Sequence, residues 1–295
     1  MAHPGIDVIR QLLGDTRQQE STILERRQGL AELAGSVPAP DGIVLEVIEL
    51  ADRRTEQLTP PSAAEGETIL YLHGGAYTAG SPDTHRGLAS ALALASGRRV
   101  VVLDYRLAPE DPFPAGLNDA LLAFDQLAPD RVALAGDSAG GGLAAATALA
   151  LRDRGGAQPV AVALISPWAD LTQSAGSYTS RAELDPMLTA AVLTQSAEAY
   201  LAGTDARTPY ASPVFGDLAG LPPMRVDVGS DEVLFDDSAS LVANAQAAGT
   251  EAELHEWPNM IHVFPAFPPE LVPEAAEAVA AMGAFLAAHL DAGAN

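Results

Sequence analysis

Ser138 lies at a predicted turn between a strand and a helix. Residues 136–140 read Gly-Asp-Ser-Ala-Gly and match the pattern G-x-S-x-G. Residues 132–135 have the apolar pattern of a buried strand, and a helix is predicted to begin near Ala139. Glycines at both ends of the pattern allow a turn tight enough to lift the serine hydroxyl above the edge of a sheet. The sequence therefore predicts that Ser138 is a nucleophile.

A serine hydroxyl is a poor nucleophile at neutral pH and needs a base to accept its proton. Among the histidines of the chain, His262 lies in a loop between the last predicted strand and the final predicted helix, residues 274–289. Its place in the chain also completes the order serine, acid, histidine that accompanies this type of nucleophile turn. We therefore predict that His262 is the base.

The acid that orients the histidine has two candidates, Asp231 and Glu232. Both follow a predicted strand, residues 224–228, at the carboxyl end where sites in open α/β sheets are built. Adjacent side chains point in different directions, so only one of the two carboxylates can bind His262. The residues alone leave this choice open.

A second glycine-rich turn supplies donors for a negatively charged oxygen. His73, Gly74 and Gly75 follow the predicted strand of residues 68–72. The two glycines let their backbone N–H groups approach a developing oxyanion, and the N–H of Ala139 at the start of a helix would be a third donor. We predict an oxyanion hole formed by Gly74, Gly75 and Ala139.

These turns need a scaffold in which several strands end side by side. Predicted strands alternate with stretches of helical length from residue 68 onward, which is typical of a mostly parallel sheet covered by helices on both faces. A helix-rich segment, about residues 172–207, interrupts the alternation, and apolar spacing predicts one or two further helices before residue 34. The predicted strands are residues 43–50, 68–72, 100–103, 132–135, 160–165, 224–228 and 252–255.

The charge and composition of the chain exclude several classes of function. The chain has 39 acidic and 16 basic residues and a net charge of −23. Such a field repels nucleic acids and anionic membranes, so neither is expected as a partner. The absence of cysteine excludes thiolate catalysis and disulfides. Neither a secretory signal nor an apolar stretch of about 18 residues is visible, so a cytoplasmic location is expected.

Three motifs, in chain order, resemble those of the hormone-sensitive-lipase family of α/β-hydrolases, also called bacterial esterase family IV. Residues 73–76 resemble its HGGG motif, residues 105–110 its YRLAPE segment and residues 136–141 its GDSAGG turn. The resemblance implies an α/β-hydrolase fold with a mostly parallel eight-stranded sheet and helices on both faces. It also implies a helical cap over the active site, formed by residues 1–42 and by the insertion at about 172–207. Residues 43–295 would form the catalytic domain.

Two departures from the family pattern bear on the site. Ala76 replaces the third glycine of HGGG, which keeps the backbone N–H and narrows the space near the acyl group. The family usually supplies the acid as the first residue of a D-P-L-x-D pattern, and four residues back from Asp236 stands Glu232, with Leu234 in the leucine position. By this resemblance we predict Glu232 as the acid, with Asp231 as the alternative.

The resemblance implies a serine carboxylic-ester hydrolase that acts on small esters of short to medium acyl chains through an acyl-enzyme. Such an enzyme needs no metal and no organic cofactor. A lactone hydrolase and a small-molecule amidase or deacetylase are alternatives, because the first addition step is the same. A non-catalytic receptor for a small ligand is a further alternative, which the presence of Ser138 and His262 disfavours. The resemblance also implies a homodimer through the last strand and the last helix.

Overall fold

Eight β-strands form one sheet within residues 4–17, 21–34, 38–128 and 130–292, the parts of the chain that a computed structural model describes. The strands are β1 (Val44–Leu50), β2 (Arg53–Thr59), β3 (Glu67–Leu72), β4 (Arg99–Leu103), β5 (Arg131–Asp137), β6 (Val162–Ile165), β7 (Met224–Gly229) and β8 (Ala252–Trp257). Their spatial order is β1-β2-β4-β3-β5-β6-β7-β8. Pairing is antiparallel for β1 with β2 and for β2 with β4, and parallel between all other neighbours. The predicted mostly parallel, eight-stranded α/β sheet is confirmed.

Helices cover both faces of this sheet. The helices of the described residues are α1 (Gly5–Arg17), α2 (Ile23–Ala34), α3 (Pro82–Ser96), α4 (Ala115–Leu127), α5 (Ser138–Arg154), α6 (Ser177–Ser180), α7 (Ala190–Leu201), α8 (Phe235–Ala247) and α9 (Pro273–Asp291). On one face α3 and α9 pack through a buried cluster that includes Leu92 and Leu286. On the other face α4, α5 and α8 pack through a larger cluster that includes Phe124, Leu143 and Leu241. Burial on both faces explains why the central strands read as continuous apolar runs.

The register of the parallel strands brings distant loops together. Leu72 at the end of β3 is paired with Gly136 of β5, and Ile165 at the end of β6 is paired with the last residue of β5. Gly229 at the end of β7 is paired with Trp257 at the end of β8. Because parallel strands end at the same edge of a sheet, the loops that follow these five strands lie side by side.

The sequence pattern does not predict β2, because this strand reads Arg-Arg-Thr-Glu-Gln-Leu-Thr and resembles an exposed turn. In the fold, Glu56 of β2 is fully buried, and its carboxylate accepts hydrogen bonds from Arg54 and Arg86 at 2.6–2.9 Å. Arg86 comes from α3. The charge of Glu56 is therefore neutralised by a residue that is distant in the sequence, and a local pattern cannot show this.

The segments predicted to form a cap contain four of the described helices. α1 and α2 lie within residues 1–42, and α6 and α7 lie within residues 172–207. Residues 1–3, 18–20 and 35–37 of the predicted N-terminal unit lie outside the described residues. The division into a cap and a catalytic domain stays a prediction.

The last strand, β8, forms one edge of the sheet. Within the described residues it is hydrogen-bonded to β7 and to no other strand. Edge strands present backbone donors and acceptors that a second chain can pair with. The homodimer through β8 and α9 stays a prediction.

None of the helices in the described residues is both long and apolar enough to cross a membrane. The cytoplasmic location stays a prediction.

A substitution at Gly140 of α5 tests how closely the turn around Ser138 packs against β3. A Cβ at this position would lie 2.0 Å from the carbonyl oxygen of Leu72 and 2.4 Å from that of His73. Both are backbone atoms at the end of a buried strand, so a clash with them is costly to relieve. We expect Gly140→Ala to lower the free energy of unfolding by about 3 kcal/mol, measured by urea denaturation.

Gly87→Ala is the matched control. Gly87 lies exposed in the middle of α3, where a Cβ would meet no atom within 4 Å. This substitution should raise the free energy of unfolding by about 0.5–1 kcal/mol, because alanine loses less backbone entropy in a helix than glycine does. Equal urea midpoints for the two variants would contradict the packing argument.

Candidate active site

Ser138 occupies a strained turn at the junction of β5 and α5. Its φ is +53°, in the left-handed region that residues other than glycine rarely adopt. The turn is closely packed, since a Cβ at Gly136 would lie 2.5 Å from the carbonyl oxygen of Gly140. This conformation matches the predicted strand-to-helix turn of a nucleophile at the carboxyl-end edge of the sheet.

The structure brings Ser138, His262 and Glu232 together. Oγ of Ser138 lies 3.0 Å from Nε2 of His262, and Nδ1 of His262 lies 2.9 Å from Oε2 of Glu232. An ionised carboxylate only accepts hydrogen bonds, so Nδ1 carries the hydrogen and Nε2 is left to accept the hydroxyl proton of Ser138. In chain order the three residues are 7%, 0% and 3% exposed, so water has little access to these hydrogen bonds.

Asp231 lies outside this path of hydrogen bonds. Its Oδ2 accepts a hydrogen bond from Arg10 of α1 at 2.6 Å, and its Oδ1 accepts one from Ser230 at 2.8 Å. The same guanidinium donates to the carbonyl oxygens of Leu184 and Asn259. Of the two carboxylates that the residues alone leave open, Glu232 is the one that contacts the imidazole.

Hydrogen bonds balance the burial of Glu232. Its Oε1 accepts from the backbone N–H of Gly229 at 2.6 Å and from the hydroxyl of Ser166 at 2.8 Å. Burial raises the pKa of Glu232, while the hydrogen bonds from His262 and Gly229 oppose that rise. Burial lowers the pKa of His262, but the hydrogen bond and charge of Glu232 outweigh it, so this pKa is raised. The charge of Asp185 adds to the rise of both pKa values.

The structure corrects the predicted oxyanion hole at one position. The N–H of Gly74 donates to Oδ1 of Asp137 at 3.1 Å, so it is already in use and its predicted role is wrong. The N–H groups of Gly75 and Ala76 have no acceptor among the described residues. The N–H of Ala139 lies in the first turn of α5, where amides lack an acceptor within the helix. The available donors are therefore Gly75, Ala76 and Ala139, with Ala76 in the place of Gly74.

The glycine turn of residues 73–76 is called the oxyanion loop below, because it carries the N–H groups of Gly75 and Ala76. A network of buried side chains fixes the shape of this loop. Asp137 accepts a hydrogen bond from the hydroxyl of Tyr71 at 2.7 Å, and its Oδ2 lies 3.4 Å from Nε2 of His85. Burial raises the pKa of Asp137, but His85 and Tyr71 outweigh it and hold this pKa below its ordinary value. Burial lowers the pKa of His85, and the charge of Asp137 outweighs it, so this pKa is raised. The hydroxyl of Tyr71 and the ring of His85 thus hold the carboxylate that binds the N–H of Gly74.

His73, the first residue of the glycine turn, supports the same loop as a neutral side chain. Its Nδ1 donates to the carbonyl oxygen of Gly74 at 2.8 Å, and its ring stacks on Tyr105 with centroids 4.3 Å apart. Burial and the nearby charge of His85 lower the pKa of His73 to about 3. Tyr105 in turn donates its hydroxyl to the carbonyl oxygen of His73 at 2.6 Å.

The N-terminal helix α1 packs on the loop that carries His262. Its buried Ile6 and Ile9 form one apolar cluster with Met260, Ile261 and Phe264. These loop residues flank the imidazole in the sequence. Together with the hydrogen bonds of Arg10 described above, α1 is bound to the side of the site that holds the acid and the base.

Helix α2 is bound to the opposite side of the site through Arg27. The guanidinium donates to the carbonyl oxygens of Thr78 and Ala108 and to both carboxylate oxygens of Glu110. The hydrogen bond from Arg27 lowers the pKa of Glu110 to about 2. Thr78 follows the glycine turn closely, so α2 contacts the loop that supplies the oxyanion donors.

Sequence reasoning misses four residues that contact the site or the loops that carry it: Arg10, Arg27, His85 and Ser166. Arg10 and Arg27 act on loops far along the chain, and no local pattern indicates those contacts. His85 follows a predicted helix start and carries no further signal. Ser166 does carry one, because it directly follows a predicted strand, and the rule that selects Asp231 and Glu232 after the next strand applies to it equally.

Comparison with known proteins agrees with this geometry. The family model for the α/β-hydrolase fold matches residues 69–266. Over 295 residues the chain is 44% identical to an acetyl-hydrolase from Streptomyces hygroscopicus, and 97% of each chain is covered. It is also similar to the crystal structure of EstE5 soaked with p-nitrophenyl butyrate, with a TM-score of 0.94 and 40% identity over 99% of this chain and 100% of that one.

A second solved structure, an esterase from the bacterial hormone-sensitive lipase family, has a TM-score of 0.93 and 38% identity over 98% of this chain and 99% of that one. Both similarities extend over the fold and over the loops that carry the site. The chain therefore belongs to the α/β-hydrolase family, in its hormone-sensitive-lipase-like branch.

Proposed function

We propose that the protein is a serine carboxylic-ester hydrolase that cleaves small esters of short to medium acyl chains through an acyl-enzyme. The observation that carries this proposal is the continuous path of hydrogen bonds from Ser138 through His262 to Glu232, with distances of 3.0 and 2.9 Å. The names of the related acetyl-hydrolase and esterase support it, because both describe hydrolysis.

In the acylation step Nε2 of His262 takes the hydroxyl proton while Oγ of Ser138 attacks the ester carbonyl carbon. The carbonyl oxygen becomes negatively charged, and the N–H groups of Gly75, Ala76 and Ala139 stabilise it. Collapse of the tetrahedral intermediate breaks the bond to the alcohol oxygen. The protonated His262 gives its proton to that oxygen, and the alcohol leaves.

Deacylation repeats these steps with water as the nucleophile. His262 takes a proton from water, the hydroxide attacks the acyl carbon, and the proton passes to Oγ of Ser138 as the acid leaves. Glu232 stabilises the imidazolium that forms in each half of the cycle. Its full burial strengthens this electrostatic effect, since no water screens the pair.

Aromatic side chains beside the oxyanion loop support a small acyl group. Tyr77 directly follows Ala76 and stacks on Tyr200 of α7, with ring centroids 3.8 Å apart. Phe113 packs edge-on against Tyr200, and Trp168 lies 5.9 Å from Tyr77 between ring centroids. Because α7 belongs to the predicted cap, this stack joins the cap to the loop that would bind the carbonyl oxygen. We infer that this stack limits the room next to the acyl carbon.

Lactones and small amides are the alternative substrates, because the same serine attack opens both and only the leaving group differs. A lactone keeps its leaving alcohol attached to the acyl group, and an amide needs a better-placed proton donor for its nitrogen. A non-catalytic receptor is disfavoured, because binding alone does not require a proton path with Nε2 of His262 3.0 Å from Oγ of Ser138.

Substitution of the nucleophile tests the proposal directly. Ser138→Ala should lower kcat for p-nitrophenyl acetate by about 10⁶-fold, because no other group forms the acyl-enzyme. A fluorophosphonate should label the wild-type protein at Ser138 and leave the variant unlabelled, which mass spectrometry of the peptides would detect. Rates should fall from acetate and butyrate esters to long-chain esters. Turnover that survives Ser138→Ala would contradict the mechanism.

A pair of neighbouring substitutions tests the acid. Glu232→Gln should lower kcat by about 10³–10⁴-fold, because it removes the charge that stabilises the imidazolium. Asp231→Asn is the matched control, since Asp231 binds Arg10 at the surface of the site, and it should retain kcat within about threefold. A larger loss in Asp231→Asn than in Glu232→Gln would overturn the assignment.

The raised pKa of His262 sets the pH dependence. The base must be neutral to accept a proton, so kcat/KM should fall as the pH decreases through the raised pKa, above the ordinary imidazole value. In Glu232→Gln, burial would lower that pKa without opposition from the carboxylate, so the remaining activity should decline at a lower pH. A rate that is flat from neutral to acidic pH would contradict the role of His262.

A further inference from the structure

Ser166 is the first residue after β6 and is fully buried. Its backbone N–H donates to the carbonyl oxygen of Asp227 in β7 at 2.8 Å, so the backbone continues the sheet pairing by one residue. The side chain leaves the sheet on the side of the acid and the base. None of the steps of the proposed mechanism uses it.

The hydroxyl of Ser166 connects the acid to the loop of the base. It donates to Oε1 of Glu232 at 2.8 Å, and it accepts from the backbone N–H of Val263 at 3.2 Å. The direction of both hydrogen bonds is fixed, because an amide only donates and an ionised carboxylate only accepts. Since Val263 follows His262, the hydrogen bonds form a closed ring through Glu232, His262, Val263 and Ser166.

The backbone is strained at both residues of the hydrogen bond between Ser166 and Val263. Ser166 has a φ of +46° and Val263 a φ of +50°, in the left-handed region that favours glycine. For a β-branched residue such as valine this conformation is a true outlier. Strained residues persist where the surrounding contacts determine them completely, and they are concentrated at functional sites. A glycine would relieve the strain at position 166, but it would lack the hydroxyl.

We propose that Ser166 is a positioning residue for the ester hydrolysis proposed above: its hydroxyl sets the rotation of the Glu232 carboxylate and the position of the loop that carries His262. The inference rests on that proposed function. Without the hydroxyl, Oε1 keeps the N–H of Gly229 as a donor, but the carboxylate loses its link to Val263. Oε2 and Nδ1 of His262 are then no longer held at 2.9 Å by a closed ring.

The charged groups around this ring define an independent readout. Glu232 and His262 face each other, Asp185 faces both from the predicted cap, and Asp137 acts on His262 from the end of β5. Loss of a hydrogen bond to the ionised carboxylate disfavours that form, which raises the pKa of Glu232 and weakens its support of the imidazolium. The pKa of His262 then falls. The acid limb of the pH profile, which is the fall of kcat/KM with decreasing pH, therefore moves to lower pH.

Two substitutions at position 166 separate the hydroxyl from the backbone. Ser166→Ala and Ser166→Gly both remove the hydroxyl, but only glycine relieves the strain at φ +46°. We expect each to lower kcat for p-nitrophenyl acetate by about 10- to 100-fold with KM nearly unchanged, as for one hydrogen bond to a charged group. The acid limb of kcat/KM should move to lower pH in both. The low-field proton resonance of Nδ1–H of His262 should also shift or broaden.

Ser90→Ala is the matched control, because Ser90 of α3 is fully buried and its hydroxyl has no partner within the described residues. It should leave kcat, the acid limb and the Nδ1–H resonance unchanged. Wild-type kcat in Ser166→Ala and Ser166→Gly would overturn the inference. So would wild-type kcat in Ser166→Gly alone, or a lower kcat with an unmoved acid limb and resonance, because these results indicate a structural role.

The experiment also separates this inference from the proposed function. A wild-type protein that hydrolyses no ester would contradict the proposed function, whereas the Nδ1–H resonance does not depend on turnover and still reports the position of His262. An active wild-type protein whose resonance and pH profile are insensitive to both substitutions would contradict only the role of Ser166.

Discussion

A charged carboxylate buried beside an imidazole is the interaction on which the rest of the site depends. The transfer of such a charge out of water costs several kcal/mol unless hydrogen bonds replace the lost solvent. For Glu232 the replacements are the amide of Gly229, the hydroxyl of Ser166 and Nδ1 of His262. These donors lie at the ends of β7 and β6 and in the loop after β8, so the carboxylate is stable only when three strand ends are in place. Assembly of this half of the site and formation of the sheet are therefore coupled.

The sheet supplies one functional group from each of five adjacent strands. In spatial order, β3 leads to the oxyanion loop, β5 to the nucleophile, β6 to Ser166, β7 to the acid and β8 to the base. Ser138 and His262 are 124 positions apart in the sequence, yet their reactive atoms lie within hydrogen-bond distance. Parallel pairing makes this possible, because every strand presents its carboxyl end at the same edge. Helices on both faces leave that edge as the open place for chemistry.

Residues whose role depends on local sequence could be predicted, and residues whose role depends on distant partners could not. The strand, glycine turn and helix around Ser138 identify it, and chain order then selects His262. The assignment of Glu232 as the acid needs the spacing of a family motif, because Asp231 beside it also carries a carboxylate. Only the structure shows that Asp231 binds Arg10 instead. The sequence predicts Gly74 as an oxyanion donor because nothing local shows that its amide is used by Asp137.

The same limit applies to the scaffold. The sequence predicts the central strands because they are apolar on both faces. It does not predict β2, because this strand buries Glu56 against a guanidinium from α3 and its own residues do not show that contact. The predicted sheet was correct in type because its alternation of strands and helices is a property of the whole chain. Each polar contact inside the sheet depends on two particular residues, and a single sequence does not indicate which residues pair.

The two N-terminal helices are bound to different parts of the protein through separate guanidinium groups. Arg10 joins α1 to Asp231 and Asn259, and Arg27 joins α2 to Thr78 and Ala108. The two sets of partners share no residue, so release of one helix does not break the contacts of the other. Each flank of the site is thus tied to its own N-terminal helix, and loss of one guanidinium leaves the hydrogen bonds on the other flank intact.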